Sequence, residues 1–277
     1  MGLIKRISII LFAIITLLFL VFRLVEVLGR DDEAPAITVV GETLEVSVED
    51  SEEKLLKGIT ATDNKDGDVT DSIVVEKISK FVNGKRTVTY AVCDTSNNYG
   101  RATREITYKD YTPPRFTLKE PLIFYDSYDL DWSSKVGAYD VIDGDISRNV
   151  KVDISYDKDK YDIEFSVTNS AGDTSHLKAG TRVYEDKSNV AEILLENYLV
   201  YTKVGEDIEA SSYLVEAKLG NISYSIDNGG DSRTIPKRDI SIENNVDINK
   251  PGVYTITYSL SLNGYSGSTD LIVVVEE

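Results

Sequence analysis

Four acidic side chains crowd one short tract of this 277-residue chain: Asp63, Asp66, Asp68 and Asp71, with Gly67 among them. Hard oxygen ligands at such close spacing are the material of a calcium site. An EF-hand loop, however, places acidic or amide residues at alternate positions before its glycine, and Asp63-Asn64-Lys65-Asp66-Gly67 does not. Asp and Asn side chains also bind neighbouring backbone N–H groups in turns, and Gly67 is free to take a positive φ. The tract is expected to be a structural turn holding no metal. Asp140, Asp143 and Asp145, around Gly144, receive the same reading.

Other chemistries find little material. With 47 acidic residues, carboxylate pairs of the kind glycoside hydrolysis needs arise by chance everywhere, so no catalytic residue is assigned and no enzyme is expected. Cys93 is the single cysteine and His176 the single histidine. Together they exclude an intrachain disulfide and multi-Cys or multi-His metal sites, and they disfavour a His-based triad. Cys93 is expected to be a buried, inert thiol. Tyr125, Tyr128, Trp132 and Tyr139 cluster, and exposed rings stack on sugars. Filling a core and its rim accounts for them more simply. Asp227-Asn228-Gly229-Gly230 reads as a hairpin turn and not a phosphate loop, since no helix follows it.

The elements that position these residues are strands. Val88, Tyr90 and Val92 fall on one face of an alternating run, as do Tyr161, Ile163, Phe165 and Val167. Tyr254, Ile256, Tyr258, Leu260 and Leu262 repeat the pattern, which marks strands with one buried face. No regular series of helices separates them, so a parallel α/β sheet is excluded.

The first 30 residues differ from the rest. They carry a net charge of +3, leaving −20 for the remainder of a chain at −17. So acidic a surface repels phosphate backbones and argues against nucleic-acid partners. Ile7–Leu28 is a 22-residue apolar segment, long enough to cross a bilayer. Arg23 and Glu26 lie near its far end, three apart, where they can pair or snorkel. Lys5 and Arg6 precede it, which places residues 1–6 in the cytoplasm by the positive-inside rule. A cleaved signal peptide would have a shorter apolar region with small residues close behind. An uncleaved anchor is therefore expected, with the remaining residues outside the cytoplasm. The chain closes on the strand Leu271–Val275 with no wall-sorting tail, so the helix is the visible attachment.

Beyond the helix the runs are copies of one another. Tyr90-Ala91-Val92-Cys93-Asp94-Thr95-Ser96-Asn97-Asn98 aligns with Phe165-Ser166-Val167-Thr168-Asn169-Ser170-Ala171-Gly172-Asp173, and Tyr258-Ser259-Leu260 opens a third copy. Asp66-Gly67-Asp68-Val69-Thr70 recurs as Asp143-Gly144-Asp145-Ile146-Ser147. Three units follow, 34–109, 112–185 and 190–277, with Tyr111-Thr112-Pro113-Pro114 a stiff joint and residues 185–189 a polar linker. Units of this size with about seven short strands imply sandwiches of two packed sheets.

These residues, with Ala61-Thr62-Asp63-Asn64-Lys65-Asp66-Gly67-Asp68-Val69-Thr70 at their head, resemble the bacterial immunoglobulin-like repeat named after a pesticidal crystal protein. The first unit matches closely, the second fairly well and the third only at its first and last strands, with an insertion around Asp227–Asn245. The resemblance implies tandem extracellular modules on bacterial surface or secreted proteins, serving as spacers and binding units. The expectation is thus an all-β protein of tandem Ig-like β-sandwiches preceded by one N-terminal transmembrane helix. It is expected to act as an interaction, adhesion or spacer module with a protein or glycan partner, the third unit making the contact. An envelope carbohydrate-binding protein is the alternative.

Overall fold

The computed structural model describes residues 2–125, 131–157, 160–227 and 232–277. The chain divides into two compact units, Met1–Tyr111 and Thr112–Glu277. All three sandwich-like cores are built from strands, and the protein is all-β apart from its N-terminal helix and short turns.

In the first unit, α1 runs from Leu3 to Gly29, longer at both ends than the apolar run alone predicts. Its stretch Leu3–Val27 is long and apolar enough to cross a membrane, and none of it is buried against protein. Three of its polar side chains are paired within the helix. Thr16 Oγ1 donates to the Phe12 carbonyl at 2.8 Å, and Arg23 pairs with Glu26 as their spacing predicts.

The sandwich that follows comprises β1 (Ala36–Val39), β2 (Thr43–Val46), the short helix α2 (Glu52–Leu56), β3 (Ile59–Asp63) and β4 (Gly67–Asp68), then β5 (Val74–Ile78), β6 (Arg86–Cys93) and β7 (Tyr99–Tyr108). One sheet has the order β1-β3-β4 and the other β2-β7-β6-β5. Pairing is antiparallel except between β2 and β7, which run parallel. Val88, Tyr90 and Val92 all enter the core, as their alternation predicts, against Val46, Ile59, Ala61 and Ile106. Arg104, unmarked by any sequence signal, is 4% exposed. Its guanidinium donates to the carbonyls of Leu55 (2.7 Å), Lys57 (3.1 Å) and Val40 (3.3 Å), closing the end of α2 onto β7. At Gly100 the two layers approach so closely that a Cβ would lie 1.9 Å from the Pro35 carbonyl oxygen, so only glycine fits there.

The second unit begins with β8 (Arg115–Leu118), β9 (Ile123–Phe124), β10 (Val136–Asp140), β11 (Gly144–Asp145), β12 (Lys151–Asp157), β13 (Lys160–Thr168), β14 (Thr174–Gly180) and β15 (Arg182–Val183). Sheets β8-β10-β11 and β12-β13-β14 enclose Phe116, Trp132, Ile163, Phe165, Val167 and Leu177, and β9 pairs parallel with β15. The side chain of Tyr161 and all of Tyr128 lie outside the described residues.

It continues with β16 (Ala191–Leu195), β17 (Leu199–Lys203), β18 (Leu214–Leu219), β19 (Ile222–Asp227), β20 (Thr234–Pro236), β21 (Ile240–Asn244), β22 (Gly252–Leu262) and β23 (Tyr265–Glu276). The sheets are β16-β18-β19-β20 and β17-β23-β22-β21. Ile256, Tyr258 and Leu260 are buried as expected, while Tyr254 and Leu262 pack half-buried at the margin.

Two sequence readings need revision here. Residues 228–230 of the supposed hairpin turn lie outside the described residues. The strands that flank them, β19 and β20, pair in parallel, a geometry that a two-residue hairpin cannot produce. The insertion read at Asp227–Asn245 holds the extra strand β20 but runs too far. β21 pairs with β22 as β5 pairs with β6, and Ile240 is buried, so Ile240–Asn244 is a core strand whose Asp-Gly-Asp marker has been lost. β19 pairs with β18 as β4 pairs with β3, so the added strand is β20, which lies within the span read as an insertion.

The cores of this unit are not sealed from one another. Ile272, on β23, is buried among Phe116, Trp132 and Phe165, and Leu199 and Val274 pack beside it. Arg182 pairs with Asp270 at 2.7 Å, and Asp270 also accepts from Thr257 Oγ1 at 2.7 Å. Arg115 pairs with Glu276, and the Phe116 N–H donates to Tyr201 Oη at 2.8 Å.

Candidate functional site

Asp63 ends β3, and its Oδ1 accepts the backbone N–H groups of Lys65 (2.8 Å) and Asp66 (2.9 Å). Those N–H groups, Asp66's foremost, hold its carboxyl below the usual range. Gly67 has φ +74°, as the turn reading requires. Asp66 points elsewhere, accepting from Thr95 N (2.7 Å) and Oγ1 (2.8 Å). Asp68 accepts from Thr70 N at 3.0 Å, and Asp71 is exposed on the 3-10 turn Thr70–Ser72. The four carboxylates are therefore distributed over a clasp and do not converge on one point.

The second copy reproduces the clasp. Asp140 Oδ1 accepts from Ile142 and Asp143 N–H, Asp143 accepts from Ser170 N and Oγ, and Asp145 accepts from Ser147 N and Oγ. Asp140 is buried, and Asn169 Nδ2 donates to its Oδ2 at 3.1 Å.

At the position of Asn169 the first copy carries Asp94, and there the two differ. A carboxylate oxygen each from Asp31, Asp63 and Asp94 lies within 4.8 Å of the others. Asp31 comes from the segment after α1. Its Oδ1 accepts weakly from Glu33 N (3.3 Å), and its carbonyl accepts from Asn98 Nδ2 (3.1 Å). Asp94 takes Asn98 N and Nδ2 on its two oxygens, each at 2.7 Å. Asp31 Oδ2 and Asp63 Oδ2 are buried with no hydrogen-bond partner among the described residues. Asp94 was visible in sequence only as a repeat marker and Asp31 only as an acidic residue past the helix, so their meeting had no local signal.

The aromatic residues separate. Trp132 is a core residue, its ring 4.3 Å from Phe124 and 6.1 Å from Phe165. Tyr139 is 56% exposed. Tyr125 is at the rim, stacked on Tyr184 with the Lys187 ammonium 4.5 Å from its ring centre. Its hydroxyl donates to Glu192 at 3.2 Å, and burial, then the Glu192 charge, pushes that hydroxyl up to about 12. Tyr125 lines a cleft of about 330 Å³ with Tyr198, Glu120, Glu192 and Lys135. Cys93 is half-buried rather than buried, its thiol 3.3 Å from the Asp94 carbonyl, because it closes β6 at the rim. His176 pairs with Glu164 on an exposed strand face.

No family model matches the chain, and no curated protein matches it. Among solved structures it is similar to a GlcNAc-bound carbohydrate-binding module with INT domains from Clostridium perfringens ZmpB, at 22% identity over 49% of this chain and 29% of that one, TM-score 0.22. The protocadherin gamma B4 extracellular domain matches at 10% identity over 88% of this chain and 49% of that chain, TM-score 0.20. A lipoprotein from Bacteroides thetaiotaomicron matches at 14% identity over 85% and 98% of the two chains, TM-score 0.20. The chain spans under a third of the first of these structures and about half of the second. The all-β sandwich fold is read from the chain's own strands and sheets.

Proposed function

We propose that this is a membrane-anchored, extracytoplasmic binding or spacer protein of a bacterial surface, without enzymatic activity. The observation that carries the reading is α1, whose apolar stretch Leu3–Val27 is exposed and, among the described residues, unburied, and which leads straight to the first β-sandwich. Lys5 and Arg6 before it and Asp31, Asp32 and Glu33 after it favour a cytoplasmic N-terminus. The net −20 beyond residue 30 favours a protein or glycan partner over nucleic acid. The test is protease accessibility in intact cells with mass spectrometry of the mature N-terminus. Protection of the sandwiches overturns the orientation, and a start near residue 34 overturns the anchor.

Partner contact is assigned to the last sandwich, where β20 is added and Val215 and Ile222 are exposed. Lysine substitutions at both positions are expected to abolish binding to the cell's partner without loss of folding. Deleting 190–277 is the poorer test, since it would uncover the core around Phe116 and Trp132.

The cleft at Tyr125 supports a second reading, carbohydrate binding. Aromatic faces beside carboxylates that accept hydroxyl hydrogen bonds suit a sugar ring. A glycan array on detergent-solubilised protein tests it, with binding lost in Tyr198→Ala.

A further inference from the structure

We infer that Asp31, Asp63 and Asp94 form a calcium site that fastens the segment emerging from α1 to the first sandwich. Each offers a carboxylate oxygen within 4.8 Å of the other two, a spread one calcium ion spans at its usual ligand distances of about 2.3–2.6 Å. Acidic clusters are common on protein surfaces, but this one is buried where it matters. Asp31 and Asp94 are each 7% exposed, and the Oδ2 atoms of Asp31 and Asp63 lack hydrogen-bond partners among the described residues. A buried carboxylate oxygen without a partner is costly, and two beside a third carboxylate repel one another as well.

Lys65 eases the charge on Asp63 from a distance, but no ion pair neutralises the cluster. Among the described residues no Lys or Arg nitrogen lies within 4.0 Å of these three carboxylates. Lys65 Nζ is turned to the carbonyls of Gly29 and Arg30, and Arg30 pairs with Asp32 at 2.8 Å. The second sandwich supplies the comparison. There an amide, Asn169, stands where Asp94 stands and donates to Asp140, so the same turn is satisfied without an ion. The first copy has exchanged that donor for a carboxylate and added Asp31, a change that costs stability unless a cation completes it. Oxygen ligands alone, with water filling the remaining positions, suit calcium over zinc or copper.

The test is thermal unfolding and calorimetric titration of the full chain in non-ionic detergent, with chelator, calcium or magnesium. Calcium about a hundredfold above its dissociation constant should raise the melting temperature of the first unit by about 5 °C or more, and calorimetry should show one site. Asp94→Asn, which copies the second sandwich, should fold without the ion and lose the calcium response. Asp31→Asn should lose it too, whereas Asp140→Asn should keep it. Equal melting with chelator and calcium, an unaltered response in Asp31→Asn and Asp94→Asn, or a response to magnesium alone would overturn the assignment.

Discussion

Tyr90, Phe165 and Tyr258 occupy one position in three copies of a strand, and all three are fully buried. Tyr90 donates its hydroxyl to the Leu55 carbonyl at 2.8 Å and Tyr258 to the Ala210 carbonyl at 2.7 Å, whereas Phe165 meets the rings of Phe116 and Trp132. Tyr258→Phe should therefore cost about 1–1.5 kcal/mol, one net hydrogen bond. Phe165→Tyr should cost about 1–3 kcal/mol, because its hydroxyl would be buried among aromatic carbons. Denaturant unfolding of both variants checks the pair. Acid has a similarly local effect. The Thr70 and Ser147 hydroxyls, with their N–H groups, hold Asp68 and Asp145 below the usual carboxylate range. Their stabilisation is complete above the unfolded value of about 4 and is lost as pH falls through the lower folded values. Melting temperature should be level from about pH 7 to 5 and fall below about 4, less steeply in Asp145→Asn. At the other extreme, burial pushes Tyr201 up to about 12. Its contribution is intact below about pH 10 and fades as pH climbs toward 12, so Tyr201→Phe should flatten the alkaline limb of the same profile. The turn roles of Asp63 and Gly67 were legible, since Asx turns are local chemistry. The convergence of Asp31 with Asp94 was not, because it joins residues 63 apart through tertiary structure alone.

At the scale of elements, alternation made β6, β13 and β22 legible, since a two-residue period reports directly on one buried face. Parallel partners were not legible. β2 with β7, β9 with β15 and β17 with β23 each join strands far apart in sequence, with no shared turn to announce them. β21 was mistaken for an insertion because its Asp-Gly-Asp marker is absent, although Ile240 keeps the buried position. The helix makes its own prediction. Ile15 lies midway along α1, and Ile15→Arg should cost about 2.5–3.5 kcal/mol of membrane insertion. Carbonate extraction of cell membranes should then release protein that the parent chain retains.

For the whole molecule, the division at Tyr111 and the apolar contact of Ile272 with the Phe116–Trp132 core imply cooperative melting of residues 112–277. Calorimetry of the full chain should show two transitions where three separate modules would show three. Asp270→Ala, which frees Arg182 and Thr257, should lower the second transition and leave the first unchanged. The parallel strand pairs have a mechanical consequence. In each sandwich a strand near the start of the copy lies parallel to one at its end, so tension along the chain loads their hydrogen bonds in shear, all at once. β17 and β23 share five residue pairs, β2 and β7 share four, and β9 and β15 share two. A chain held at α1 and pulled from its far end should yield first at the β9–β15 clamp, leaving the two stronger sandwiches to carry the load.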